Sequence, residues 1–221
     1  SLVESLFNYF NEYICEVIIV NDNSSDNTKN IVNELKKTNK RVRLVNRTQP
    51  NGVGRALREG YSLVKGKYCL TMDCDFQHLI TEFVCLFDAL NQGVDVVIGS
   101  RFSQNSILLN YPFTKILFNR MFHVLLAIFT RNQFRDVTNN LKIMKKEVLD
   151  NITVHENGFA ANAETGIYPI LLGYNVCEVP MSWVNRDSQM GISSFKLIQV
   201  GKGYLRVFLK ALKYKYFNIK L

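Results

Sequence analysis

Four short β-rich runs, each ending in polar residues and leading into a helical pattern, set the tightest limit on how this chain folds. Val17–Val20 ends in Asn21-Asp-Asn-Ser-Ser-Asp-Asn-Thr28, and Val42–Val45 leads to the turn Asn51-Gly-Val-Gly54. Tyr68–Met72 runs straight into Asp73-Cys-Asp75, and Val94–Gly99 into Ser100-Arg101. Between these runs, apolar side chains recur at helical spacing over 2–13, 31–37, 55–64 and 79–92. Strands alternating with helices in this way predict an α/β fold whose mostly parallel sheet is covered on both faces. Ligands of such sheets sit beyond the carboxyl ends of the strands. That directs attention to Asp22, to Asp73 with Asp75, and to Arg101.

After Arg101 the pattern changes. Residues 107–129 are apolar and aromatic but interrupted by Lys115 and Arg120, an amphipathic segment rather than a membrane span. A strand-like piece and a turn follow over 137–149, a helix over 160–172 and a late strand over 177–184. No repeat, linker or low-complexity tract appears, so residues 1–221 read as one domain with an elaborated C-terminal half.

Charge sharpens the picture of the tail. The formal net charge is +8, yet from Ser188 onward there is no Asp or Glu and seven Lys or Arg. Residues 197–216 read as an amphipathic basic helix. Val200, Tyr204, Val207 and Ala211 fall on one face and Lys202, Arg206, Lys210 and Lys213 on the other. Such a helix suits an anionic membrane surface, or equally a helix packed on the domain with its basic side in water. Basic residues confined to one tail do not form the groove expected of a nucleic-acid binder. The five cysteines lack C-x-x-C spacing and mostly lie in apolar runs, which suits reduced core thiols. His78, His123 and His155 are too scattered to suggest metal-ligand spacing.

The most informative local stretch is Thr71-Met-Asp-Cys-Asp-Phe-Gln-His78. In an extended chain Asp73, Asp75 and Gln77 point the same way. Hard divalent cations, Mg²⁺ or Mn²⁺, take such oxygen ligands together with substrate phosphates. Two acids solvating a strand end is the plain alternative. Asp22 likewise fits either a polar turn or a carboxylate that accepts hydrogen bonds from a nucleoside. The loop Asn51–Ala56 fails the dinucleotide pattern because Leu57 stands where its third glycine belongs.

In order along the chain, five segments resemble the family-2 glycosyltransferases of the GT-A fold, and more narrowly the dolichol- or polyprenyl-phosphate sugar synthases. They are Val17–Thr28, Asn51–Ala56 with Gly60, Met72–His78, Val96–Arg101, and Glu178-Val-Pro180 with Trp183, Arg186 and Gly191–Ser194. The resemblance implies a Rossmann-like three-layer sandwich with an amphipathic C-terminal helical region. It also implies that Asp22, Asp73, Arg101 and Arg186 bind the donor, a GDP- or UDP-hexose. Asp73, Asp75 and Gln77 would hold Mg²⁺ or Mn²⁺ on its diphosphate. Lys115, Arg120 and Arg186 would meet the phosphate of a polyprenyl or dolichyl acceptor. Asp75, Arg101 and Asp136 are the expected catalytic set, and inversion the expected course.

An ionised lipid phosphate needs no general base, whereas a sugar hydroxyl would require one, with Asp136 or Glu164 the candidates. Two departures stand out. The family's first strand and its P-x-Y-N-E turn have no counterpart here, which reads as a chain that begins inside a longer product. Asparagine also replaces glycine at positions 23 and 27. The leading expectation is a hexosyltransferase at the cytosolic membrane face, peripheral or anchored by segments outside this chain. The alternatives are a family-2 enzyme acting on a glycan, glycolipid or protein hydroxyl, and a degenerate domain retained as a binding module.

Overall fold

The computed structural model describes residues 1–75, 77–185 and 197–221. Helix α1 (Leu2–Phe10) precedes strand β1 (Val17–Asn21), and helix α2 (Thr28–Thr38) leads to β2 (Val42–Asn46). Strands β1 and β2 pair in parallel, joined by the helical crossover α2 that a parallel pair needs. Helix α3 (Val53–Ser62) then leads to β3 (Tyr68–Thr71). A 3₁₀ turn (Ile80–Phe83) and α4 (Val84–Leu90) lead to β4 (Val96–Ser100). Past the short β5 (Leu108–Leu109) come α5 (Phe113–Thr130), β6 (Lys142–Lys145), α6 (Lys146–Asn151) and α7 (Ala161–Leu171). The expected late strand is split into β7 (Val176–Pro180) and β8 (Trp183–Val184), and α8 (Leu197–Phe217) ends the chain.

The central sheet has the order β3-β6-β4-β7. Strands β4 and β7 are parallel, but β6 runs antiparallel between β3 and β4, so the sheet is mixed. Side-chain alternation divides it into two apolar faces. Val96, Ile98 and Met144 join the core made with Leu126 of α5, Ile167 and Tyr168 of α7, and Val207 and Ala211 of α8. Val97 and Ile143 point the other way, into the core made with Leu6 and Phe10 of α1, Phe83, and Leu86 of α4. Two helical layers therefore sandwich one sheet. Each of these fully buried Val, Ile or Leu side chains stabilises the fold by roughly 1.5–3 kcal/mol relative to exposure.

No disulfide joins the five cysteines, and none of them is fully buried. Cys15 and Cys74 are exposed, and Cys69, Cys85 and Cys177 only half-buried. Cys69 and Cys177 pack against the two cores as partly buried thiols, whereas Cys15 lies before β1 and Cys74 in the turn after β3.

Close backbone approaches fix how the helices meet the loops. A Cβ built on Gly166 of α7 would lie 2.0 Å from the Val137 carbonyl oxygen, and one on Gly54 of α3 2.0 Å from that of Glu156. At both contacts a helix packs directly on loop backbone, leaving no room for a side chain.

Candidate active site

Beyond the carboxyl ends of β3 and β4 lies a cavity of about 730 Å³. Asp73, Asp75, Gln77, Arg101 and Tyr111 form part of its wall, together with Thr138, Asn139 and Asn140 from the loop before β6. The remaining wall is mainly apolar. Phe118, Met121, Phe122 and Leu125 come from α5, Tyr204, Leu205 and Phe208 from α8.

Strand β3 aims the acidic loop into this space. The Thr71 hydroxyl donates to the Asn140 carbonyl at 2.8 Å, joining β3 to the loop before β6. Asn140 Nδ2 in turn donates to Asp73 Oδ1 at 2.9 Å. One turn further on, the Gln77 N–H donates to Asp75 Oδ1 at 3.4 Å, and the Val184 N–H to the Gln77 carbonyl at 2.8 Å. His78 is buried, with Nδ1 3.2 Å from the Ser182 carbonyl, and burial pulls its pKa down to about 4. It is a structural imidazole between two loops. Among the described residues, no three His, Cys, Asp or Glu side chains gather as a ligand set. A cation here would rest on the Asp73 and Asp75 carboxylates and the Gln77 amide oxygen. These hard donors fit Mg²⁺ or Mn²⁺ completed by substrate phosphate oxygens.

Arg101 follows β4 and is clamped by Asp136. Asp136 Oδ2 accepts from Arg101 Nε at 2.7 Å and from the Arg101 backbone N–H at 2.9 Å, and Oδ1 accepts from Nη2 at 2.9 Å. Nη1 donates to the Tyr111 hydroxyl at 3.1 Å. Asp136 is fully buried. Burial by itself raises a carboxyl pKa, yet the adjacent guanidinium holds this one below the usual range. Arg101 is thereby a fixed positive charge on the cavity wall. The loop carrying Asp136 is anchored by Glu178, whose carboxylate accepts from the backbone N–H groups of Arg135 at 2.8 Å and Asp136 at 2.5 Å.

Two other acids fall elsewhere. Asp22 does not line the cavity. Its Oδ2 accepts from the Gly52 N–H at 2.6 Å, next to the lining residue Val53, and its other oxygen pairs with Arg47. Glu164 is buried in α7, where it accepts from the His155 and Glu156 N–H groups and from the Tyr168 hydroxyl. Among the cations, Lys115 is on the cavity wall. Arg120 is not among the lining residues: it stacks 4.0 Å over the Phe102 ring and donates to the Arg135 carbonyl. Arg186 and Gly191–Ser194 lie outside the described residues.

Sequence reasoning missed Lys142. Nothing local in Lys142-Ile-Met-Lys145 distinguishes the two lysines, but Lys142 is fully buried. Its ammonium donates to the carbonyls of Asn139 and Asn162 and to the Thr165 hydroxyl, and burial lowers its pKa to about 7. It ties the cavity loop to the start of α7. Only the polar run Thr138-Asn-Asn140 ahead of an apolar strand could have hinted at such a partner.

The geometry can be set beside known proteins. Polyprenol monophosphomannose synthase of Mycolicibacterium smegmatis is 26% identical over 203 residues, covering 86% of this chain and 74% of that protein. Dolichyl-phosphate beta-glucosyltransferase ALG5A of Trichomonas vaginalis is 31% identical over 188 residues, covering 80% of this chain. The chain spans only 57% of that relative's length. Among solved structures, glucosyl-3-phosphoglycerate synthase from Mycobacterium tuberculosis, in complex with Mn²⁺, uridine diphosphate and glucosyl-3-phosphoglycerate, superposes with a TM-score of 0.64 at 16% identity. That match covers 97% of this chain and 75% of the other, and it establishes the GT-A fold. The profile of glycosyl transferase family 2 matches residues 1–153, more than half of the sequence, and so the chain belongs to glycosyl transferase family 2.

Proposed function

We propose that this transferase moves a hexose, mannose or glucose, from a GDP- or UDP-sugar to polyprenyl or dolichyl phosphate at the cytosolic face of a membrane, with inversion. The observation that carries the reading is a single cavity with acids, amides and a clamped arginine on one wall and the apolar side chains of α5 and α8 on another. A phosphate joined to a long hydrocarbon chain is the acceptor that uses both walls. The relatives named for polyprenol and dolichyl phosphate chemistry point the same way.

In the proposed step an oxygen of the acceptor phosphate attacks the anomeric carbon. The bond from that carbon to the donor diphosphate breaks, and the nucleoside diphosphate departs with the electron pair. Asp73, Asp75 and Gln77 would hold Mg²⁺ or Mn²⁺, which when bound would supply charge stabilisation to the departing diphosphate. Arg101 adds a preorganised positive charge that needs no reorientation during transfer. Asp136 positions it. Lys115 on α5 meets the acceptor phosphate, with Arg120 and Arg186 as further candidates for that group. Asp22 supports the nucleoside side of the donor through the start of α3. The acceptor is already ionised, so no proton has to be removed.

A hydroxyl acceptor is less well served, because Asp136 and Glu164 are both buried and engaged by donors. The test is a panel of GDP- and UDP-hexoses, radiolabelled in the sugar, incubated with polyprenyl phosphate. Label should enter the lipid fraction, and both chelation and Asp75→Ala should abolish it. Label found only in water-soluble glycans would replace this reading with the hydroxyl-acceptor one. Absence of transfer with every donor would leave a binding module.

A further inference from the structure

Helix α5 is long and apolar, and much of it is uncovered. Its inner side is committed to the domain: Leu126, His123 and Thr130 are buried, and Asn119 donates to Asp136 and Thr138. Its outer side is open. Phe113 is 75% exposed, Leu117 47%, Met121 52%, Val124 58% and Ile128 63%. At about 100° per residue these positions form one broad stripe without a single charge. Leaving about half or more of each in water forfeits much of the benefit that apolar side chains normally bring. A contiguous exposed patch of this kind marks an interaction surface.

Helix α8 extends the stripe. Phe122 meets Tyr204 and Phe208 edge-on, Phe129 meets Phe208, and the Tyr216 hydroxyl donates to the Phe129 carbonyl, so the two helices run side by side in the same direction. Leu205 and Leu209, 57% and 47% exposed, continue the apolar surface next to α5. Lys202 and Lys213, both exposed, border that row on the side away from α5. Arg206 is turned to a different use, pairing with Glu156 at 2.7 Å. Neither α5 nor α8 contains an Asp or Glu.

We infer that the outer stripe of α5, with Leu205 and Leu209 of α8, is the face that inserts into an anionic lipid surface, and that the lysines of α8 only border it. Three features select lipid over a protein partner. The patch is apolar at its centre, cationic at one edge and free of carboxylates, which matches acyl chains beneath anionic headgroups. It is also continuous with the cavity, because Met121 and Leu205 belong to both and the exposed Phe118 and Leu125 beside them line it too. Helix α5 is long and apolar enough to cross a membrane, but its bonds from Asn119 to the domain tie it down. It therefore lies in the interface plane. The inference deepens the proposed membrane-surface setting but needs no particular sugar donor.

Sedimentation of the 221-residue chain with phosphatidylcholine vesicles, plain or containing one quarter phosphatidylserine, tests it. Leu117→Asp/Val124→Asp/Ile128→Asp changes only exposed side chains outside the cavity wall and should lower binding to both vesicle types by more than about tenfold. Lys202→Gln/Lys213→Gln should erase the preference for phosphatidylserine and leave the remaining binding intact. Alkaline carbonate should release the bound wild-type chain. Wild-type binding by the triple variant, or bound chain that resists carbonate, would overturn the inference, as would a chain that forms a discrete dimer and ignores vesicles. Circular dichroism of the variants separates misfolding from lost docking. Transfer to a short, water-soluble polyprenyl phosphate separates it from failure of the proposed chemistry, since docking variants should retain that activity.

Discussion

Replacing Asp136 by asparagine keeps the shape of the side chain and removes the charge that holds Arg101. Three hydrogen bonds from Arg101 converge on this fully buried carboxylate, one from its backbone and two from the guanidinium. The arginine side chain is itself only 13% exposed, so water cannot replace the lost partner. Removing one member of such a buried pair leaves an uncompensated charge and costs about 3–5 kcal/mol. With a urea slope of about 2 kcal/mol per M, the unfolding midpoint should fall by roughly 2 M. Trp183, the only tryptophan, reports directly on this neighbourhood, because it is buried and its ring lies 4.6 Å from that of Tyr111, the hydroxyl bonded to Arg101. Its fluorescence in a urea titration is therefore the assay. The double change Arg101→Met/Asp136→Leu should recover much of the loss, since an apolar pair of similar size carries no desolvation penalty. An Asp136→Asn midpoint within about 0.5 M of wild type at an unchanged slope would refute the claim that this ion pair is buried and committed.

Acid should destabilise the domain above the range where carboxylates titrate. Burial lowers His78 and His123 from the ordinary 6.5 to about 4. Between those values the unfolded chain binds protons that the native one does not, so stability falls as pH drops through the window, by roughly 3 kcal/mol for each histidine. Thermal midpoints from pH 7 to 4 should show this, and His123→Phe should flatten the slope. An unchanged slope would place His123 in water. Gly166→Ala should cost about 1–3 kcal/mol by pressing a methyl group on the Val137 carbonyl. A variant as stable as wild type in urea would contradict that contact.

The alternation of β-rich runs and helical stretches was enough to specify the layered α/β fold and to mark the ends of β1, β3 and β4 as the place to look. That works because side-chain period and strand-end polarity are local properties of the chain. The acidic triplet was legible for the same reason. What the sequence could not determine was partnership. Asp136 stands thirty-five residues from Arg101, and only the antiparallel insertion of β6 between β3 and β4 brings its loop to the end of β4. Lys142 is buried because the start of α7 covers it, which its neighbours in sequence do not announce. The amphipathic tail was visible as a pattern, and its basic side drew the eye. Packing of α8 beside α5 instead left the apolar outer stripe of α5 uncovered, because which face of a helix stays exposed depends on what the rest of the chain sets against it.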